Sequence, residues 1–232
     1  MRKETAVVVG VGPGLGAALV RAFASEGYTV FAAARSASGS GLNGDNEGGR
    51  VVAIDCDATE KSDVERVFEA ASKVGPTEVA VFNAGAFVRS SILDTDPNEF
   101  VRCWRVGCFA GFLVGQAAAR RMIAHGRGTI LFTGATAGVK GFAQSAPFAM
   151  GKFGLRGLAQ SMARELAPKN IHVAHVVVDG GIAPTHTTSA SDRASDRFLD
   201  PDAIAPTYLH LHRQQRSAWT WEIEVRPWTE NF

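Results

Sequence analysis

Apolar runs of four to eight residues alternate with segments of helical periodicity along most of this chain. The runs are rich in Val, Ile, Phe and Ala and predict strands at residues 6–9, 28–34, 50–54, 79–82, 128–133 and 171–178. Apolar residues recur at helical spacing over residues 15–23, 63–72, 99–125 and 145–167. Strands that are apolar on both faces and alternate with helices are typical of a parallel sheet covered on both sides. We therefore predict an α/β fold, a Rossmann-type doubly wound parallel sheet of about seven strands with helices on both faces.

Three segments depart from this alternation. Residues 36–49 are rich in Gly, Ser and Asn and predict a mobile loop where such a fold normally has a helix. Residues 180–200 follow the carboxyl end of a strand, where open α/β sheets bind ligands, and we interpret them as a substrate lid. Residues 219–225 alternate like a closing edge strand. The length of 232 residues fits a single domain over residues 1–232.

The charge balance disfavours nucleic acid and membrane partners. The chain has 24 Lys and Arg residues and 23 Asp and Glu residues, which gives a net charge of +1. Such a small charge produces no electrostatic field that would attract phosphate backbones or anionic lipid. No uninterrupted apolar stretch reaches the roughly 18 residues of a membrane span. Cys56, Cys103 and Cys108 lack metal-ligand spacing, so we expect a reducing, cytoplasmic setting, no metal site and a small-molecule substrate.

A glycine-rich turn lies between the first predicted strand and the first predicted helix. A pyrophosphate needs backbone N–H groups at a helix amino terminus without Cβ atoms in the way, and glycines supply both. Because the turn follows a strand and opens a helix, we predict a dinucleotide phosphate site there. Its residues are Gly10, Gly12, Pro13, Gly14, Leu15 and Gly16.

Four short motifs follow one another along the chain: G-x-x-x-G-x-G at 10–16, Cys-Asp at 56–57, Asn-Ala-Gly at 83–85 and Phe-x-x-x-Lys at 148–152. In this order and spacing the chain resembles the short-chain dehydrogenase/reductase family over essentially its whole length. The resemblance implies a nicotinamide dinucleotide cofactor. The residues that it implies near the cofactor are Asp57 and Ala58 at the adenine, Asn83, Ala84 and Gly85 at the central strand, Lys152 at the nicotinamide ribose and Ile182 at the carboxamide.

Arg35 follows the second predicted strand, where an acidic residue would bind the ribose hydroxyls of NAD. A cation at this place can pair with the 2′-phosphate of NADP instead. No acid occupies the neighbouring positions, so we expect NADP(H) in preference to NAD(H). The alternative is that Arg35 is only a solvated charge at the end of a strand.

The catalytic residues that the resemblance implies are mostly replaced. The family uses Asn, Ser, Tyr and Lys, with the Tyr four residues before the Lys and the Ser thirteen before the Tyr. Counting back from Lys152 gives Phe148 and Ala135, and Gly107 stands where the Asn is usual. Phenylalanine has no proton for the alkoxide that hydride transfer creates. General acid catalysis is worth typically 10²–10⁴-fold, so we expect ordinary ketone reduction to be crippled.

The sequence places no tyrosine as a replacement acid. Tyr28 and Tyr208 are the only two tyrosines, and neither is near Lys152 by sequence. His186, in the predicted lid, could protonate a substrate at neutral pH, although a solvated loop histidine is the simpler interpretation. The other five histidines fall in predicted strands and helices, and we assign them no chemistry.

Three hydroxyl side chains lie near the replaced positions. Thr133 and Thr136 flank Ala135, where packing at the end of a strand is the simpler interpretation because an aliphatic hydroxyl is a poor acid. Ser145 precedes the predicted helix over residues 145–167 and is expected to cap it.

Two functions remain open from the sequence. The first is an NADP(H)-dependent oxidoreductase that acts on a small C=O or C=N substrate by a non-standard mechanism. The second is a catalytically disabled dinucleotide-binding protein that serves as a sensor or subunit partner. The resemblance also implies pairing through the helices at 99–125 and 145–167, so we expect a homodimer or homotetramer. Apolar residues that suggest a substrate pocket, and are as often core, are Phe142, Phe148, Phe198 and Leu199.

Overall fold

The computed structural model describes residues 4–46, 48–183 and 196–230, and a single eight-stranded sheet runs through it. The strands are β1 (Thr5–Val9), β2 (Thr29–Ala34), β3 (Gly44–Asn46), β4 (Gly49–Asp55), β5 (Thr77–Phe82), β6 (Gly128–Thr133), β7 (Ile171–Val178) and β8 (Glu222–Val225). They lie in the order β3-β4-β2-β1-β5-β6-β7-β8, and every pair is parallel except β3 with β4. The predicted doubly wound α/β fold is confirmed, with one strand more than expected.

Six α-helices lie within the described ranges: α1 (Leu15–Ser25), α2 (Lys61–Val74), α3 (Pro97–Trp104), α4 (Ala110–His125), α5 (Ala146–Leu166) and α6 (Pro201–Arg213). The long helix predicted over 99–125 begins earlier, at Pro97, because the Asp96 carboxylate accepts a hydrogen bond from the Asn98 backbone at 2.8 Å and caps it. A π-helical segment, Arg105–Phe109, joins α3 to α4. No described helix is long and apolar enough to cross a membrane.

The sheet separates two apolar cores, because successive side chains of each strand point to opposite faces. On one face, Phe82 and Phe132 pack with Leu155 under α2, α4 and α5. On the other face, α1 and α6 contribute Phe23 and Tyr208, among others. Burial on both faces explains why the strands read as continuous apolar runs.

The extra strand, β3, lies inside the segment predicted as a mobile loop, residues 36–49. It pairs antiparallel with β4, and the Asn43 side chain accepts a hydrogen bond from Ala53 N at 2.6 Å. Ser38 donates from its backbone N–H and its hydroxyl to Asp55 at 2.8 and 2.7 Å. The loop prediction was therefore wrong in part, since composition alone does not register these pairings with β4.

Glycines bring the α3–α4 region into close contact with α5 within one chain. A Cβ added at Gly107 would lie 3.3 Å from Gly151 Cα, and one at Gly111 would lie 2.5 Å from Leu155 Cδ1. A Cβ at Gly157, in contrast, would meet no atom within 4 Å. These helical glycines therefore serve packing inside the chain, with Gly157 as an exception.

Candidate functional site

Two adjoining cavities lie at the carboxyl edge of the sheet, where β1 and β5 meet at the point at which the strand order reverses. The larger has a volume of about 1210 Å³ and the smaller about 760 Å³. Their walls share Gly10, Gly12, Asn83, Gly85 and Phe87. The larger cavity exceeds the roughly 300–1,000 Å³ typical of a pocket for one small ligand.

The predicted glycine turn lines the larger cavity in full. The Cβ position of Gly12 meets no atom within 4 Å, and that of Gly14 meets only Ile182 Cγ2, at 4.0 Å. Gly16 has the opposite role, because a Cβ there would lie 2.7 Å from Val11 Cα. The first turn of α1 holds no acidic residue. The turn therefore offers open space and a helix amino terminus to an anion.

Asn83 holds the glycine turn against the end of β5. Its Nδ2 donates to Gly10 O at 3.0 Å, and its backbone N–H donates to Val9 O at 2.8 Å. Gly10 has φ +93, and a Cβ there would lie 2.3 Å from Ala84 N. Only glycine fits this contact, so the Asn-Ala-Gly motif and the glycine turn are one packed unit.

The smaller cavity contains Arg35, Asp57 and Ala58 in its wall, as well as Asn83 to Gly85. Arg35 is exposed at the end of β2, and no described carboxylate forms an ion pair with it. Asp57 Oδ1 accepts hydrogen bonds from Thr59 N at 2.9 Å and Thr59 Oγ1 at 2.8 Å. The carboxylate is thus held in the wall of the cavity, and the predicted adenine-side residues lie together.

Lys152 projects from α5 into the floor of the larger cavity. Its side chain is buried, and its Nζ donates to Thr133 O at 2.8 Å. Burial without a carboxylate partner disfavours the ammonium form and lowers the pKa of Lys152 to about 8. The Cβ position of Gly85 is 3.7 Å from Nζ. The Phe-x-x-x-Lys motif therefore meets the Asn-Ala-Gly motif at Lys152.

Two of the three replaced positions, Ala135 and Phe148, line the same cavity as Lys152. The Phe148 ring centroid lies 5.8 Å from Lys152 Nζ and 5.2 Å from the Phe87 ring, which it meets edge to face. Gly107 does not line either cavity, because it is buried against Gly151.

Tyr208 is closer to Lys152 than the sequence suggested. Its hydroxyl is 2.8 Å from Thr133 Oγ1, so Tyr208 and Lys152 contact the same residue of β6, one through its side chain and one through its carbonyl. Tyr208 is fully buried and lines neither cavity, and burial raises its pKa far above the usual range. Helical spacing of Ile204, Tyr208 and Leu211 could have indicated this burial against the sheet.

Three other predictions near the site have different outcomes. Ser145 occupies the N-cap position of α5, but its hydroxyl donates to Phe142 O at 2.8 Å and makes no capping bond, so the expectation of a side-chain cap was wrong. Thr136 hydrogen-bonds Asp179 rather than only packing. His186 and residues 184–195 of the predicted lid lie outside the described residues.

A polar cluster next to the site centres on the buried His175. His175 Nδ1 donates to Glu222 at 3.0 Å, and Arg156 donates to the same carboxylate at 2.6 and 2.7 Å. His175 Nε2 has no hydrogen-bond partner among the described residues and faces Gly134, whose Cβ would lie 2.3 Å away. Burial lowers the pKa of His175 despite Glu222. In the described parts of the chain, no group of three or more His, Cys, Asp or Glu side chains could hold a metal ion.

Comparisons with known proteins agree with this arrangement. A family model described as short chain dehydrogenase matches residues 4–195. The chain is 31% identical over 198 residues to the 3-oxoacyl-[acyl-carrier-protein] reductase MabA of Mycobacterium tuberculosis, covering 84% of this chain and 76% of that protein. It is 29% identical over 218 residues to carbonyl reductase family member 4 of Danio rerio, covering 89% and 90%.

Two solved structures have the same fold over nearly the whole chain. A short-chain dehydrogenase from Rhodopseudomonas palustris superposes with a TM-score of 0.84 at 41% identity, covering 98% of this chain and 100% of that one. A metagenomic short-chain oxidoreductase in complex with NADP superposes with a TM-score of 0.79 at 26% identity, covering 98% of each chain.

Proposed function

The chain belongs to the short-chain dehydrogenase family, and from that premise we propose that it is an NADP(H)-dependent oxidoreductase that reduces a small C=O or C=N substrate without the usual phenol. The observation that carries the proposal is Lys152, a buried lysine with a pKa of about 8 in the floor of the larger cavity. A proton donor works best when its pKa lies near the working pH.

The residues at the carboxyl edge fit a nicotinamide dinucleotide. The open Cβ positions of Gly12 and Gly14 and the uncharged first turn of α1 suit a pyrophosphate. We assign the remaining parts of the cofactor to the two cavities. The residues are Gly10, Gly12, Pro13, Gly14, Leu15 and Gly16 for the pyrophosphate, Arg35 for the 2′-phosphate, Asp57 and Ala58 for the adenine, Asn83, Ala84 and Gly85 for the central support, Lys152 for the ribose and Ile182 for the carboxamide.

The bound nicotinamide would supply a hydride to the substrate carbon. Carbonyl reduction then consumes one proton, and we assign that proton to Lys152 Nζ, because Phe148 has no acidic hydrogen and the Tyr208 hydroxyl is buried away from the cavity. At neutral pH a lysine with a pKa of about 8 is mostly protonated, yet it gives up its proton far more readily than an exposed lysine. An iminium substrate carries its proton already and needs no such donor.

The test begins with titrations of NADPH and NADH, followed by hydride consumption against ketones, aldehydes and imines. We expect NADPH to bind more tightly than NADH, and turnover to require the protonated form of a group near pH 8. Failure of both nucleotides to bind would refute the proposal. Lys152→Met should lose turnover, whereas retention of full activity would exclude it as the donor.

A paired gain-of-function variant separates an active enzyme from the disabled alternative. Phe148→Tyr with Ala135→Ser restores the phenol and hydroxyl of the family pattern on the wall of the cavity. Phe153→Tyr, on the exposed side of the same helix, is the control. If the wild type binds NADPH but reduces nothing and only the paired variant gains ketone reduction, the protein is the disabled member that the replaced residues suggest.

A further inference from the structure

The substrate side of the larger cavity carries two cations that no carboxylate within the described ranges neutralises. Arg89 follows β5 and Lys140 follows β6, and both line the cavity. Neither forms an ion pair with any described residue. The sequence motifs did not reveal them, although each lies a few residues beyond the carboxyl end of a strand.

The side chain of Arg89 is held in place. Its Nε donates to Gln144 Oε1 at 3.0 Å, and Ser90 N donates to Gln144 O at 3.0 Å. Gln144 has φ +63, a left-handed conformation that is unfavourable for a non-glycine residue. The two hydrogen bonds tie the loop after β5 to the turn before α5. The terminal N–H groups of the guanidinium have no hydrogen-bond partner among the described residues, which leaves a fork of donors for a ligand.

Aromatic rings line the same cavity as these cations. Lys140 Nζ lies 5.6 Å from the centre of the Phe142 ring, and Phe87 packs edge to face on Phe148. Phe87 and Phe142 are 63% and 49% exposed, which is unusual for large apolar side chains that line a concave site. A ligand with an aromatic or bulky apolar body would bury this surface.

The described acidic residues that line the cavity do not come from the loops that carry Arg89 and Lys140. Glu230 and Asp179 are near Gly180, after β7. Asp179 is already paired with Arg226 at 3.3 Å and bonded to Thr136. The loops after β5 and β6 therefore contribute the cations Arg89 and Lys140 and aromatic rings to the cavity wall, but no carboxylate of their own.

We propose that the substrate of this site is an anion, with an aromatic or bulky apolar body beside the reacting C=O or C=N group and a carboxylate or phosphate held by Arg89 and Lys140. The inference rests on the proposed function, since it assigns the substrate of the same cavity. Bidentate pairing with Arg89 fixes the orientation of the anion, and Lys140 adds charge without directional demands.

The test measures binding rather than turnover. Phenylacetate, phenyl phosphate and the neutral phenylacetamide are titrated into the full chain, with and without saturating NADPH, at about 50 mM salt. We expect at least one anion to bind tenfold or more tightly than the amide. The double variant Arg89→Gln, Lys140→Gln should reduce that preference below threefold, and Lys73→Gln, on the exposed end of α2, should keep it. Equal affinity for the anions and the amide, or an unchanged preference in the double variant, would overturn the proposal.

The outcomes of these titrations distinguish the anionic-substrate proposal from the proposed oxidoreductase function. If NADPH binds and the amide binds as well as both anions, the substrate class is wrong while the cofactor assignment survives. If an anion binds through Arg89 and Lys140 but neither NADPH nor NADH binds, the anion site stands and the oxidoreductase proposal fails. Preference for phenyl phosphate over phenylacetate would assign the acidic group as a phosphate, and the reverse preference would assign a carboxylate.

Discussion

Replacing Lys152 with methionine is expected to stabilise the protein at neutral pH while it abolishes the proposed chemistry. The shift of its pKa from 10.5 to about 8 corresponds to about 3 kcal/mol of unfavourable burial, at 1.36 kcal/mol per unit. The lost hydrogen bond to Thr133 O offsets roughly 1 kcal/mol of this. Lys152→Met should therefore gain about 2 kcal/mol at pH 7.

The gain should disappear in alkaline solution. Between pH 8 and 10.5 the unfolded lysine holds more protons than the folded one, so wild-type stability rises with pH in that window. By pH 9.5 about 2 kcal/mol of the cost is relieved, and the two proteins should then be equally stable. Lys152→Met has no ionisable group at position 152, so its stability should not show this rise with pH.

Urea unfolding followed by tryptophan fluorescence at pH 7 and pH 9.5 measures both effects. At pH 7 the midpoint of Lys152→Met should exceed that of the wild type by roughly 1 M. Lys73→Met, a replacement of an exposed lysine, should stay within about 0.5 kcal/mol at either pH. No gain at pH 7, or a gain that persists unchanged at pH 9.5, would refute the conclusion that the ammonium group is desolvated.

Three further results are expected. In urea unfolding, Gly111→Ala should lower the free energy of unfolding by about 1–3 kcal/mol, because the added Cβ would lie 2.5 Å from a side-chain atom. Gly157→Ala places its Cβ in open space and should raise the free energy of unfolding by roughly 0.5–1 kcal/mol. Equal effects of the two variants would contradict the packing argument. Arg35→Glu should lower NADPH affinity at least tenfold and spare NADH, as isothermal titration would show, and a parallel loss of both would point to misfolding. Burial lowers the pKa of His175 in the fold, so stability should fall as pH drops below about 6.5, where the unfolded histidine takes up a proton more readily than the folded one. His175→Gln should flatten this dependence between pH 7.5 and pH 5, and an unchanged slope would assign it to other groups.

The fold followed from the sequence because its strands are buried on both faces. The strand β7 (Ile171–Val178), for example, is buried along its whole length and is apolar except at His172 and His175, and the alternation of such strands with helices left few arrangements. β3 escaped prediction because its three residues pair through backbone hydrogen bonds with β4, and no side-chain pattern records such pairing. The interruption of the long helix at Arg105–Phe109 escaped for a similar reason, since a π-helical segment is defined by its backbone hydrogen bonds.

Some residues of the site were predicted from the sequence, and others were not. Short motifs located the glycine turn and Lys152, because each has a fixed spacing within one strand and the helix after it. Arg89 and Tyr208 were missed because their roles depend on contacts across the fold, to Gln144 and Thr133. Loop positions carry no periodicity, so a sequence shows that a cation is present there but not what it faces.

The contact between Gly107 and Gly151 also bears on which substitutions the site can accept. Ala135→Ser and Phe148→Tyr add one oxygen atom each at the wall of a cavity. An asparagine at position 107 must instead push α5 back, since even its Cβ would lie 3.3 Å from Gly151 Cα. An amide at position 107 therefore requires a shift in helix spacing, whereas a hydroxyl at position 135 or 148 extends into an open cavity.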